Sequence, residues 1–243
     1  MVQETAVAPK SNGLATLRDV IVAPKAAFAE LRVRPTWFWA FVITSVLGMI
    51  GGIMLIPASE HMATAMFATM SKTDPRFAQL TPAQMEQQIS IMKIVTHYQF
   101  LMYPIGVLVA ALATAVLGLI GNAIGGGDGN FRRYWALAMN VAIVMFGISY
   151  LLLGVIAMAR GPESFSAPHD LFGAIPSIGW LVPGNYALSA FLSITSLFGI
   201  WSLVLVGLGF RITGGMKAPI AWTMSVVALL SSGLYAVAAS QGK

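Results

Sequence analysis

Met62, Met66 and Met70 recur every four residues beside His61, a spacing that on a helix stacks three thioethers and an imidazole along one face. Such ligands suit copper(I), a soft ion. A helix laying an apolar stripe on its neighbour has the same spacing, and methionine is a common gap-filler in such contacts, so packing is the favoured reading and no metal site is assigned. The glycines of Gly125–Arg133 (GGGDGNFRR) have the look of a phosphate cradle. A P-loop needs a strand before it and Gly-Lys-Ser/Thr after it, and this stretch has neither, so it reads as a turn. His97 and His169 show no metal-ligand spacing, there is no HExxH or paired-carboxylate pattern, and the chain has no cysteine. No catalytic residue and no cofactor follow from this set. Asn140, Tyr150, Ser189 and Ser193 are polar spots within long apolar runs. They could line a polar cleft, although interhelical hydrogen bonding, worth about 0.6 kcal/mol per contact, is the plainer use.

Those apolar runs must position everything else. Charged residues make up 9% of the chain and hydrophobic ones 57%, where an average soluble domain is about a quarter charged. The pattern predicts an all-α integral membrane protein with five transmembrane helices, at about 36–56, 98–123, 134–157, 186–210 and 218–239. Pro35, Trp37 and Trp39 introduce the first span, and Gly48 and Gly52 form a small-xxx-small pair that permits close helix approach. Pro104 is expected to kink the second span. Trp201 lies in the middle of the fourth. No Asp, Glu, Lys or Arg falls in the middle of any span, where one would cost roughly 2.5–3.5 kcal/mol and mark an ion or proton path. A proton-coupled transporter or ion pump is thereby disfavoured.

Residues 1–35 read as a polar tail followed by two short amphipathic helices with basic residues, an interfacial foot. Residues 57–97 read as a polar excursion shaped as a helical hairpin. In it Lys72–Pro75 makes a turn, Thr81-Pro-Ala-Gln84 starts the second helix, and Met85, Ile89 and Met92 give that helix an apolar stripe. Pro162, Pro168, Pro176 and Pro183 rule out a long helix in the second excursion, 158–185. Nine basic residues fall on one side of this layout (Lys10, Arg18, Lys25, Arg32, Arg34, Arg132, Arg133, Arg211, Lys217) and five on the other (Lys72, Arg76, Lys93, Arg160, Lys243). The richer side is expected in the cytoplasm, with the N-terminus and the Gly125–Arg133 turn inside and the C-terminus outside. The net charge of +5 then reflects membrane loops rather than nucleic acid.

Three stretches resemble a known family. Leu197–Ala218 (LFGIWSLVLVGLGFRITGGMKA) is similar to the fourth span and following turn of the Yip family (Ypt/Rab-interacting integral membrane proteins), in its prokaryotic branch. Pro24-Lys-Ala-Ala-Phe28 with Pro35-Thr-Trp37 resembles that family's entry to its first span, and the turn with Phe131 its middle turn. The resemblance covers most of 14–239 and implies a five-span, N-inside layout in a prokaryotic inner membrane, with no catalytic residues. Eukaryotic relatives are associated with vesicle trafficking and small GTPases, through a longer N-terminal region and an Asp-Leu-Tyr-Gly-type motif that this sequence lacks. The expected function is a non-enzymatic membrane organiser or scaffold. Its expected partners are lipids and a protein at the basic face formed by Arg132, Arg133, Arg211 and Lys217, with self-association left open. The alternative is a passive lipid or small-molecule translocator using a polar cleft between spans three and four.

Overall fold

A computed structural model describes residues 12–73, 80–182 and 184–240. The expected polar tail at 1–11, the turn beyond Thr73 with Pro75 and Arg76, Pro183, and Lys243 lie outside them. The described residues form helices and connecting turns, with no strand among them, and the chain is an all-α polytopic membrane protein. Three straight or gently interrupted runs and a final helix are long and apolar enough to cross a bilayer, and one bent pair, counted as a single span, brings the number to five.

Helices α1 (Gly13–Val22) and α2 (Pro24–Val33) come first. Asn12 caps α1 through its side-chain oxygen, and Pro24, which has no N–H to satisfy, opens α2. The sequence places their apolar faces on lipid, but in the fold these are turned into the protein. Thr16, Leu17 and Val20 of α1 and Ala27, Phe28 and Leu31 of α2 are buried, in one core with Tyr134, Leu137 and Phe210. The hydroxyl of Thr213 donates to the carbonyl of Phe28 (3.1 Å). Fully burying a Phe or Leu contributes about 1.5–3 kcal/mol in an aqueous setting, so the pair is held as a wedge at the basic end.

The first span also departs from expectation. α3 (Phe38–Thr73) runs unbroken past Ile56, carrying Pro57 inside it. Proline removes one intrahelical hydrogen bond, a loss that neighbouring helices make tolerable in membrane helices. At 36 residues α3 is about 54 Å long, well beyond a hydrocarbon core of about 30 Å. The hairpin at 57–97 is therefore a continuation of two spans rather than a separate excursion. Its other arm, α4 (Pro82–Tyr98), starts at the expected capping box of Thr81 and Gln84. The arms are joined where His97 Nδ1 meets the Glu60 carboxylate (3.1 Å) and where the Gln99 amide donates to Ser59 (3.4 Å). A 3₁₀ stretch, Gln99–Met102, leads into α5 (Tyr103–Gly125), and Pro104 occupies the first turn of α5.

The third crossing is α6 (Phe131–Ala142), a π-helical segment Ile143–Ile148 and α7 (Ser149–Arg160). Tyr103 of α5 donates its hydroxyl to the carbonyl of Phe146 within that π-helical segment. Beyond a short helix α8 (Pro168–Phe172) and a 3₁₀ turn Ile178–Leu181, the fourth crossing is not the continuous helix that the sequence suggests. α9 (Tyr186–Leu192) tightens to a 3₁₀ turn, Ser193–Thr195, breaks at Ser196, and resumes as α10 (Leu197–Thr213) at an angle of 53°. Local hydroxyls satisfy the freed backbone. Ser196 accepts from the Gly199 amide, Ser193 and Thr195 donate to Ala190 and Leu192, and Thr195 also accepts from Ile178. α11 (Ala218–Ser240) is the last crossing.

Neighbouring spans meet where a large side chain or a backbone enters a glycine notch. A Cβ on Gly48 would lie inside the Tyr103 ring, and one on Gly52 would reach Phe100 at 2.8 Å. Gly209 receives Leu137, and Gly207 receives Trp222. Spans one and three come closest, because a Cβ on Gly51 would stand 2.5 Å from the Tyr150 carbonyl oxygen and one on Gly154 2.7 Å from that of Gly51. Gly106, in contrast, faces open space. Gly51→Ala is expected to cost about 1–3 kcal/mol or more, since rigid backbone must shift, whereas Gly106→Ala changes stability by no more than about 1 kcal/mol, in the favourable direction. Thermal unfolding of the full chain in detergent compares the two; equal midpoints would contradict this crossing.

Candidate functional site

The basic end is built from two turns and the α1–α2 wedge. α5 closes on Gly126, whose φ of +68° suits glycine. The chain then folds so that the amides of Asp128 and Gly129 donate to the carbonyl of Gly214 (2.9 and 3.1 Å) in the turn between α10 and α11. Asn122, near the end of α5, holds this arrangement. Its amide donates to the Gly129 carbonyl (3.0 Å), and its oxygen accepts from the Gly129 amide (3.3 Å) and from the Tyr134 hydroxyl (3.1 Å). Tyr134 is fully buried and meets Phe210 edge to face at 5.7 Å. Glycine is required in both turns, because a Cβ on Gly129 or Gly214 would collide with Tyr134 at 2.3 Å.

Charges ring this knot. Arg32 of α2 donates to Asp128 (2.7 Å) and to the Ile212 carbonyl (3.4 Å), while Arg133 donates to the Asp128 carbonyl (3.2 Å) and lies 3.8 Å from its carboxylate. The hydrogen bond from Arg32, reinforced by the charges of Arg32 and Arg133, holds the Asp128 carboxyl below its usual range. Arg132, Arg211 and Lys217 are exposed and make no ion pair or side-chain hydrogen bond among the described residues. Of the four residues expected to form the basic interaction face, Arg133 is thus engaged internally and three present free charge. Arg32, Asp128 and Asn122 belong to the same site and were not singled out by the sequence. The only signal for Asn122 is its place in GNAIGGGDGN, one turn before a glycine stop.

The other sequence candidates are dispersed. Asn140 is 1% exposed and donates to the carbonyls of Thr36 and Ala136 (2.8 Å each), tying the entry of span one to α6. The Tyr150 ring lies 4.7 Å from that of Tyr103. Ser189 donates to Gly179 (3.0 Å) and Ser193 to Ala190 (2.6 Å). Asn140, Tyr150 and Ser189 serve different junctions and Ser193 bonds only its own segment, so the expected polar cleft between spans three and four is not assembled. The opening there is apolar, a groove of about 310 Å³ with Trp201 in its wall. His61 bonds the Phe165 carbonyl through Nδ1 (3.0 Å), and Met62 is buried against Phe165 in a second apolar cluster. Met66 is half-buried, as is Met70, and no group of three histidine or carboxylate side chains able to hold a metal occurs among the described residues.

The sequence profile of the Yip1 domain matches residues 18–240, from the middle of α1 to the end of α11. The chain belongs to the Yip1 family. It is similar to Membrane protein YknW of Bacillus subtilis (strain 168), with 23% identity over 222 residues that cover 90% of this chain and 88% of that protein. No solved structure gives a significant match. The Yip1 match takes in the second half of α1 and all of α2, as well as the two hydrogen-bonded turns.

The ionic contact at Asp128 makes a direct prediction. Its folded pKa is depressed, so the contribution of the Arg32–Asp128 pair is present above the ordinary carboxylate pKa of about 3.9 and is lost as pH falls through the lowered value. A ¹³C titration of the Asp128 carboxyl should give a value below that ordinary one, and Arg32→Gln should move it back up. Removing three hydrogen bonds with Asn122→Leu should cost about 2–4 kcal/mol in unfolding experiments.

Proposed function

We propose that this Yip1-family protein is a non-enzymatic membrane scaffold that engages an acidic partner at its basic end, in the plasma membrane of a prokaryote. The observation that supports this reading is the exposed, unpaired set of Arg132, Arg211 and Lys217, carried on helix ends and a turn beside the hydrogen-bonded knot. Clustered cations whose backbone is already ordered attract an acidic protein segment or anionic headgroups, and their attraction fades beyond about 8 Å at physiological salt. The basic end faces the cytoplasm in this reading, with the C-terminus outside. The translocator alternative has lost the polar cleft on which it depended, and no other observation favours it.

The test uses the full chain, purified from native membranes in a lipid-retaining disc and compared with Arg132→Glu/Arg211→Glu/Lys217→Glu. A protein recovered in near-stoichiometric amount should be lost from the triple variant, and lost from the native chain at high salt, while the unfolding midpoint is preserved. Recovery that is indifferent to both the reversal and salt removes the proposed interface. For orientation, a reporter fused after Lys243 should be active only outside the cytoplasm, and cytoplasmic activity would reverse the assignment.

A further inference from the structure

Helices with irregular backbones converge on the apolar groove between spans three and four. Its lining is Ile21, Val144, Ile148, Leu197, Phe198 and Trp201. Val144 and Ile148 come from the π-helical segment, a form that is rare and often marks functional sites. Leu197 and Phe198 are the first residues after the break at Ser196, and Ile21 closes the groove from the last turn of α1. The volume of about 310 Å³ reaches the lower bound of ordinary ligand sites, about 300–1,000 Å³. Leu197 is 75% exposed, so the groove opens sideways, toward the surroundings of the spans.

The position of the groove along the spans defines its occupant. By helical rise, Val144 and Ile148 lie about 20 and 25 Å along the third crossing from Phe131, and Leu197 about 24 Å along α10 from Thr213. On both spans these residues lie well along the helix from the basic end, and the groove opens on the outer side of spanning helices, where lipid covers them. The cation nearest to this lining in sequence is Arg18, one turn before Ile21 on the same edge of α1 and exposed. Arg18 holds Asp19 through Nε and one terminal nitrogen (2.8 and 2.7 Å). Such an exposed pair between adjacent residues is weak, and a guanidinium has five N–H donors, which leaves capacity for a phosphate. Lys25, at the start of α2, is exposed and unpaired.

We propose that the groove is a binding site for one anionic glycerophospholipid of the surrounding bilayer, with an acyl chain along Val144, Ile148 and Leu197 and its phosphate at Arg18. The site is distinct from the rim of Arg132, Arg211 and Lys217 and stands or falls independently of the scaffold reading. The occupant fills the space between the wedge and the fourth crossing, next to the bend at Ser196, so that lipid composition bears directly on how these parts pack.

Trp201 provides the readout. The full chain in detergent micelles is titrated with phosphatidylglycerol or phosphatidylcholine carrying brominated acyl chains, and the Trp201 signal is taken as the difference between the native chain and Trp201→Phe. The expected result is saturable quenching at one lipid per chain, with half-saturation at about fivefold less phosphatidylglycerol than phosphatidylcholine. Arg18→Gln, a change at an exposed position, should abolish that preference. Val144→Phe/Ile148→Phe, which fills the groove, should weaken the saturable phase by about tenfold or more. Quenching that rises in simple proportion to lipid fraction, equally for both headgroups, is that of bulk lipid and overturns the proposal. A preference that survives Arg18→Gln overturns it as well.

Discussion

Apolar side chains gain little by leaving lipid for protein, so a membrane bundle holds together through close contact rather than through the hydrophobic effect. In this chain the close contact is made at glycines. Tyr103, Leu137 and Trp222 each enter a notch on a neighbouring span, and at Gly51 and Gly154 two backbones touch. With its crossings fixed in this way, the bundle can accept a proline inside α3, a π-helical segment in the third crossing and a break in the fourth. None of these would survive in an isolated helix, where the freed carbonyls would face hydrocarbon. Tyr103 shows how the two requirements combine, since its ring fills the Gly48 notch while its hydroxyl satisfies the Phe146 carbonyl.

Where the bundle meets water, polar bonding takes over. The Asn122–Gly129–Tyr134 arrangement, the turn-to-turn bonds to Gly214 and the Arg32–Asp128 pair join α2, α5, α6 and α10 at one end. The amphipathic pair α1–α2 joins them with its apolar face spent on the core. What remains outward is charge, and that division of labour is why the basic rim is presented on a firm base.

Much of the layout can be read in the sequence because its causes are local. Five apolar runs, the Thr81–Gln84 capping box and the Gly125–Arg133 turn follow from composition, spacing and cap chemistry, while the family shows only through the resemblance of stretches such as Leu197–Ala218. What escaped depends on contacts distant in sequence. Nothing around Ser196 forbids a helix, and the break is stabilised by hydroxyls together with a bond from Ile178. An amphipathic stretch such as 13–33 presents the same pattern whether it lies on lipid or on protein, and only Phe210 and Tyr134, far along the chain, decide between them. Asn140, Ser189 and Ser193 misled for a related reason. In a medium without water a polar side chain takes the nearest carbonyl, and spacing alone does not reveal which one that is.

The length of α3 has a mechanical consequence. A single helix that packs on the second and third crossings, and that continues through Pro57 as one element with Ala58, Met62 and Phe67 buried beyond it, carries a tilt made within the bilayer to its far half. From Gly51 the helix runs on for about 33 Å, so a tilt of about 10° there moves its far end by roughly 6 Å. The Glu60–His97 and Ser59–Gln99 bonds couple the second arm to the same movement. The packing of the Gly51–Gly154 crossing thereby sets the direction of both arms of the hairpin.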